Sequence, residues 1–182
     1  SARLVLKAHS SEDHATATLL KRRLERTGLP LEQVIWLPYT ATPDEHLQQY
    51  GHMDVALDSF PNTGCTTTCE ALWMGVPVIT LEGTHYVSRM ASAVLHGAQL
   101  HEWICTNRSE YEHLAIEQAE PQRLNWLRQH RPHWRHHLQQ SPLGDARDLM
   151  HQLESSFSDL AQRRLKKEAF ELTTDAPGLV QR

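Results

Sequence analysis

The sequence predicts an α/β fold with a Rossmann-like, doubly wound parallel sheet, and three observations carry the prediction. Apolar runs of strand length alternate with amphipathic stretches of helical period from Arg3 to Ala119, the pattern of strands joined by crossover helices. The stretch from Asp54 to Thr80, DVALDSFPNTGCTTTCEALWMGVPVIT, reads as a whole βαβ unit. From Pro121 onward the pattern is purely helical, so a helical extension follows the sheet.

In order, Arg3 to Ala8 alternates as a strand that starts abruptly after Ser1 and Ala2, and the chain is expected to begin in mid-domain. Ser11 to Thr27 places Ala15, Leu19, Leu20 and Leu24 on one face, with Ser10 or Ser11 as cap and Gly28 as terminator, which makes a helix. Gln33 to Pro38 is a short strand. Thr42-Pro43-Asp44-Glu45 has the cap, the N1 proline and the early acids of a helix running to about Tyr50.

The central unit supplies a strand over Asp54 to Asp58, a turn with Pro61, Asn62 and Gly64, a helix from about Thr66 to Met74, and a strand over Val76 to Thr80. A helix over Tyr86 to Leu95, a last strand over Glu102 to Cys105 and a helix over Ser109 to Ala119, capped by Ser109 with Glu112 three residues on, complete the alternation. Leu124, Leu127, Trp134 and Leu138 then suit one helix kinked at Pro132. Asp145 to about Phe170 aligns Leu149, Leu153, Phe157 and Leu160 on the stripe of a long final helix, and the last dozen residues read as a frayed tail. The expected organisation is residues 1–120 as the Rossmann-like part, 121–170 as the helical extension and 171–182 as a flexible tail.

Composition removes several function classes. With 182 residues, 40% apolar and 22% charged, the chain can bury a proper core. A net charge of -4 and the lack of a basic stripe with interleaved aromatics argue against nucleic acid as a partner. Cys65, Cys69 and Cys105 are too few and too uneven for a disulfide framework, which suits a reducing compartment and a cytoplasmic location. The longest apolar runs, such as Val76 to Leu81, have strand length, so no membrane partner is expected.

In a doubly wound sheet, ligands sit beyond the carboxyl ends of the strands. The turn from Ser59 to Thr66 and the loop from Tyr39 to Pro43 both lie there, so two loops converge on one crevice. Gly64 lets the backbone approach a ligand closely, Cys65 to Thr68 present N–H groups at a helix start, and three successive threonines add hydroxyls. That suits an anion, although threonine also caps helices that bind nothing. Glu70 stands one turn further in, where a carboxylate can hold a pair of sugar hydroxyls or merely complement the helix dipole. His46 fits a surface helix as well as a site. His130, His133, His136 and His137 have metal-compatible spacings, but Pro132 interrupts them and no carboxylate or cysteine lies near in sequence, so a solvated helix face is expected there and no metal.

The run LDSFPNTGCTTTCEALWMGVPVITLEG, followed by SRMASAVL, EYEHLA and SPLGD, resembles the C-terminal catalytic half of the O-linked N-acetylglucosamine transferase and SPINDLY-like family over nearly the whole chain. The resemblance implies a GT-B architecture, in which two Rossmann-like domains face each other and the C-terminal one holds a nucleotide-sugar donor. It implies that Thr66 and Thr67 contact the donor diphosphate, that Glu70 holds the ribose hydroxyls, that the His46 ring lies against the base and that the Ala41 backbone reads the edge of that base. Gly64 and Cys65 complete the expected donor-binding set. The chain departs from the animal enzymes at Cys65, where they carry histidine, at Pro43, where they carry lysine, and at Gln49, where they carry arginine.

The activity so implied is metal-independent transfer of a sugar to Ser or Thr hydroxyls of a protein acceptor, with inversion at the sugar carbon. No DxD-type motif occurs, and helix-end N–H groups with threonine hydroxyls can stabilise the leaving diphosphate. UDP-N-acetylglucosamine is the first choice of donor, and no cofactor is expected. A GDP-fucose donor is the second, since the GCTTTCE run is nearer the SPINDLY type. An epimerase of the same architecture and a non-catalytic interaction domain are further readings. The family's domain opens with a strand, a helix and a phosphate-contacting lysine before the position of Arg3, so the chain is expected to be truncated at its N-terminal side, to hold no catalytic residue and to be inactive alone. Self-association is expected through the final helix or an uncovered sheet edge.

Overall fold

The computed structural model describes residues 2–7 and 13–174. Strand β1 (Leu4–Lys7) leads to helix α1 (His14–Arg26). Asp13 caps α1, its carboxylate accepting the Thr16 N–H at 2.7 Å; the serines expected in that role lie outside the described residues. Strand β2 (Val34–Leu37) follows, and helix α2 (Pro43–Gln48) opens with a reciprocal capping box between Thr42 and Glu45 and with Pro43 in the first turn, where the missing N–H has no partner to lose. The chain then tightens into a 3-10 turn over Gln49–His52.

The central unit is built as expected but with a shorter first strand. Strand β3 is only Ala56–Leu57, followed by helix α3 (Thr66–Trp73) and strand β4 (Val78–Leu81). Gly75 turns the chain from α3 into β4 at φ 76°, and a Cβ there would lie 2.6 Å from the Arg131 carbonyl oxygen, so both conformation and space call for glycine.

Beyond β4 the local structure differs from the sequence reading at four points. The helix expected over Tyr86 to Leu95 is a 3-10 turn over Tyr86–Ser88 followed by α4 (Met90–Gly97). Strand β5 is Ile104–Cys105, preceded by a 3-10 turn at His101–Trp103 where strand was expected from Glu102. Helix α5 (Arg108–Gln118) is capped by Asn107, whose side chain accepts the Glu110 N–H at 2.9 Å, and Ser109 lies inside it. Pro132 does not kink one helix: it stands in the first turn of α7 (Arg131–Gln140), separate from α6 (Pro121–Gln129). Proline removes an N–H that a first turn does not use, so it favours a new start over a bend.

Among the described residues all strand pairs are parallel, as the alternation requires, but they form two sheets instead of one. β1 pairs with β2, and separately β3 with β4 and β4 with β5. A groove of about 620 Å³ is lined by Leu4, Val5 and Leu6 on one side and by Asp54 to Leu57 on the other.

The core joins the helical extension to the α/β part. Leu72 of α3, Ile79 of β4, Leu95 of α4 and Trp103 are buried with Leu127 of α6 and Leu138 of α7, each contributing roughly 1.5–3 kcal/mol by leaving water. Trp103 meets Trp134 edge to face, ring centroids 5.5 Å apart, the arrangement aromatic quadrupoles favour. The final helix, α8 (Ala146–Thr174), starts on Asp145, whose carboxylate accepts the Arg147 and Asp148 N–H groups. It runs on through Thr174, into the stretch expected as tail. Its stripe of Leu149, Leu153, Phe157 and Leu160 is exposed, so its helicity rests on cap and propensity more than on packing.

Candidate functional site

The turn between β3 and α3 is tied from several directions. Asp58 Oδ1 accepts the backbone N–H of Gly64 at 2.8 Å and that of Ser59 at 3.0 Å, while Oδ2 accepts the Thr80 hydroxyl at 2.6 Å. Buried Thr63 donates its N–H to the Val87 carbonyl at 3.0 Å and its hydroxyl to the same oxygen at 2.9 Å, which docks the Tyr86–Ser88 turn onto the loop. The Phe60–Pro61 peptide bond in this turn is cis. Gly64 is enclosed: a Cβ there would come 2.6 Å from Thr67 Oγ1 and 2.9 Å from Thr68 Oγ1. A helix N-terminus held this firmly keeps its N–H groups in place before any ligand arrives.

At that terminus Cys65 stands as N-cap without a side-chain cap bond and is exposed, as are Thr66 and Thr67. Thr68 turns inward and is buried. The exposed Thr66 and Thr67 and the first N–H groups of α3 thus stand together at the turn, a set of donors that suits an oxyanion.

Helix α2 meets α3 through side chains. His46 Nε2 lies 3.2 Å from Glu70 Oε2, both partly buried. Tyr50 donates its hydroxyl to the same Glu70 oxygen at 3.3 Å and sets its ring edge-on to His46, centroids 5.8 Å apart. Burial, reinforced by the charge of Glu70 and by this bond, pushes the Tyr50 phenol well above its ordinary range, so it stays a donor. From β1, Lys7 Nζ reaches His46 Nδ1 at 2.6 Å and donates to Thr40 Oγ1 at 2.9 Å. His46, Glu70, Pro43, Leu47 and Trp73 line a cavity of about 750 Å³.

Of the expected residues, His46 and Glu70 are brought together, and Gly64, Cys65, Thr66 and Thr67 form the turn one helical turn away, outside the lining of that cavity. Ala41 lies just before α2 with its N–H held by Glu45 Oε2 at 3.1 Å, so its carbonyl is the backbone group free of that bond. Gln49 donates from Nε2 to the Pro38 carbonyl at 3.1 Å, and its buried Oε1 meets no donor among the described residues. Burial pushes the Cys69 thiol up, with Cys65 and Glu70 adding to it, which makes it a poor nucleophile.

Three participants went unnoticed in the sequence. Asp58 and Lys7 each stand at the carboxyl end of a strand, where a polar residue after an apolar run is the available signal. Tyr50 carries none, because an aromatic residue at a helix end reads as core. Of the histidine-rich stretch, His133, His136 and His137 lie exposed on α7, the expected solvated face, while the His130 ring stacks on Trp126 at 4.2 Å and His137 Nε2 bonds the Ala98 carbonyl at 2.8 Å. Among the described residues no group of three or more His, Cys, Asp or Glu is placed to hold a metal ion, and no helix is long and apolar enough to cross a membrane.

Comparison with known proteins bears on this geometry. A family model described as glycosyl transferase family 41 matches residues 12–153. A Petunia hybrida protein named "Probable UDP-N-acetylglucosamine--peptide N-acetylglucosaminyltransferase SPINDLY" is 34% identical over 140 residues, which is 77% of this chain and 15% of that protein. The Arabidopsis thaliana protein of the same name is 38% identical over 96 residues, 53% of this chain and 10% of that protein. Among solved structures, a Thermobaculum terrenum O-GlcNAc transferase mutant superposes with a TM-score of 0.73 at 37% identity, over 86% of this chain and 29% of that one. The chain therefore spans about 15% of the length of the curated relative from Petunia.

Proposed function

The chain belongs to glycosyl transferase family 41, and from that premise we propose that it holds the nucleotide-sugar donor of a protein O-glycosyltransferase. The observation that carries the reading is the 3.2 Å approach of His46 to Glu70. It brings helix α2, which follows β2, against helix α3, which follows β3, and a doubly wound fold takes its ligand near the segments that follow the carboxyl ends of its strands.

The roles follow from the chemistry of each group. Thr66 and Thr67, with the free N–H groups of α3, hold the diphosphate. As the bond to the sugar breaks, negative charge grows on that diphosphate, and fixed dipoles already aimed at it lower the barrier. Glu70 takes both of its described hydrogen bonds on Oε2, which leaves Oε1 for a ribose hydroxyl. The His46 ring supports the base and the Ala41 carbonyl reads its edge. The acceptor is a Ser or Thr hydroxyl of a protein, and the transfer proceeds without a metal and with inversion. UDP-N-acetylglucosamine is the preferred donor, the one that the names of the Petunia and Arabidopsis relatives contain.

A second reading, a GDP-fucose donor or a pocket that has lost its donor, is favoured by one feature. Apolar Pro43 lines the cavity beside His46, where a cation would strengthen the hold on a nucleotide. Calorimetric titration of the complete protein with UDP and with GDP decides between them. UDP is expected to bind, and the double variant Thr66→Ala, Thr67→Ala to weaken it about ten-fold or more by losing hydroxyl donors to a charged group. Heat from GDP alone selects the fucose-type donor, silence from both selects the interaction domain, and an unchanged affinity in the double variant sinks the diphosphate assignment.

A further inference from the structure

Lys7 closes β1 and has no part in the roles assigned above, yet it makes the shortest of the hydrogen bonds around His46 and Glu70, 2.6 Å from Nζ to His46 Nδ1. We propose that Lys7 is a positioning residue that fixes His46 as its Nε2–H tautomer and so aims the imidazole N–H at Glu70.

The argument is one of donor and acceptor counting. An ammonium group carries three donors and no acceptor. At 2.6 Å it therefore needs a lone pair on His46 Nδ1. A neutral imidazole has one N–H, which must then sit on Nε2, and Nε2 is the atom that faces Glu70 Oε2 at 3.2 Å. The other tautomer would set an N–H against the ammonium and a lone pair against the carboxylate, both repulsive. The hydrogen bond made by one ring nitrogen thus decides what the other offers.

The remaining contacts hold the lysine and the ring in that relation. Thr40 Oγ1 accepts a second Lys7 proton at 2.9 Å, which anchors the ammonium to the loop before α2. Tyr50 packs its ring at 78° to the imidazole and donates to the same Glu70 oxygen. A relay runs from Lys7 through His46 to Glu70, and it links the β1–β2 ladder to α3. Glu70 is held with Oε2 occupied from two sides, so the carboxylate presents its other oxygen in a fixed direction. Preorganisation of that kind saves ordering when a ligand binds.

The inference rests on the reading of His46 and Glu70 as donor-binding groups, and its test separates the two. The complete protein is labelled with 15N-histidine, the His46 signals are identified by their loss in His46→Gln, and long-range proton–nitrogen correlation reports the tautomer. Wild type and Lys7→Arg, which keeps an N–H donor, are expected to show Nε2–H. Lys7→Met is expected to show a mixture of tautomers, with UDP affinity about ten-fold weaker from the disordered Glu70 contact and close to wild type in Lys7→Arg. An Nδ1–H form in the wild type overturns the proposal without any variant, and so does a pure Nε2–H form in Lys7→Met. A tautomer that shifts in Lys7→Met while UDP affinity stays constant upholds the lysine–histidine coupling and overturns the reading of Glu70 as a ribose-binding group that His46 holds.

Discussion

The Gly64 N–H donates to Asp58 Oδ1 at 2.8 Å, so one carboxylate ties the end of β3 to the start of α3 across the intervening turn. Its other oxygen takes the hydroxyl of Thr80, which is fully buried in β4. Asp58→Ala would strip three donors of their acceptor and leave the Thr80 hydroxyl without its partner in the core. A loss of about 2–3 kcal/mol is expected in denaturant titration. Thr80→Val removes one donor and leaves the two bonds of the turn, so about 1 kcal/mol is expected. Equal losses in the two variants would show that the turn gains nothing from its carboxylate.

Gly64→Ala tests the same turn by steric means. The added Cβ would lie 2.6 and 2.9 Å from the hydroxyls of Thr67 and Thr68, too close for either to stay. Thr68 is buried and has little room to yield, whereas Thr67 is exposed and can rotate away. The expected outcome is about 1–2 kcal/mol of destabilisation from overpacking, together with loss of UDP binding beyond what Thr67→Ala causes. Full stability with unchanged affinity would mean that the close approach has no consequence.

The contrast between what was legible and what was not follows from the range of the forces involved. The capping box of Thr42 and Glu45, the Gly64 turn and the βαβ alternation are encoded within a few residues, and they stood out in the sequence. The family resemblance assigned His46 and Glu70 separately to one donor, to its base and its ribose, and the fold class placed the segments around them at one crevice, but neither supplied the contact between the two side chains. Lys7 and Asp58 act across 39 and 22 residues, and a lone polar residue after an apolar run does not announce its partner. The division into two sheets could not be read from the sequence, because alternation fixes the direction of strands and not which edges meet. Asn107 displaced Ser109 as a cap because two neighbouring residues could each serve, and only the extended backbone at Asn107 settled the choice.

Arg131 joins the helical extension to the site at one remove. Half-buried at the start of α7, it donates from one guanidinium nitrogen to the carbonyls of Tyr50, at 2.9 Å, and of Met53. Burial lowers its pKa, and the charge of Asp54 opposes that shift. Arg131→Met leaves two carbonyls without their donor, and about 2–3 kcal/mol of stability should go with them. Tyr50 also orients Glu70, so the variant is expected to weaken UDP binding as well. Lys at this position offers a point charge in place of a fork and should recover only part of either effect. A Met variant as stable as wild type in thermal unfolding would contradict the assignment.

Tyr111 gives the pH dependence a definite direction. Its hydroxyl donates to the Asp58 carbonyl at 2.9 Å, and burial, with the charges of Asp58 and Cys105, raises its pKa to about 12. A tyrosine in the unfolded chain titrates near 10, so between about pH 10 and 12 the folded state keeps a proton that the unfolded state has released. Raising the pH through that window therefore favours unfolding, and the stabilisation, complete below pH 10, is gone above 12. Tyr50, shifted upward by burial and by Glu70, acts in the same direction. Tyr111→Phe removes the bond and the proton together. Stability at pH 7 should fall by about 1 kcal/mol, and the decline between pH 10 and 12 should become shallower by at most one proton. Parallel stability curves for the two proteins across that window would exclude Tyr111 as the group responsible.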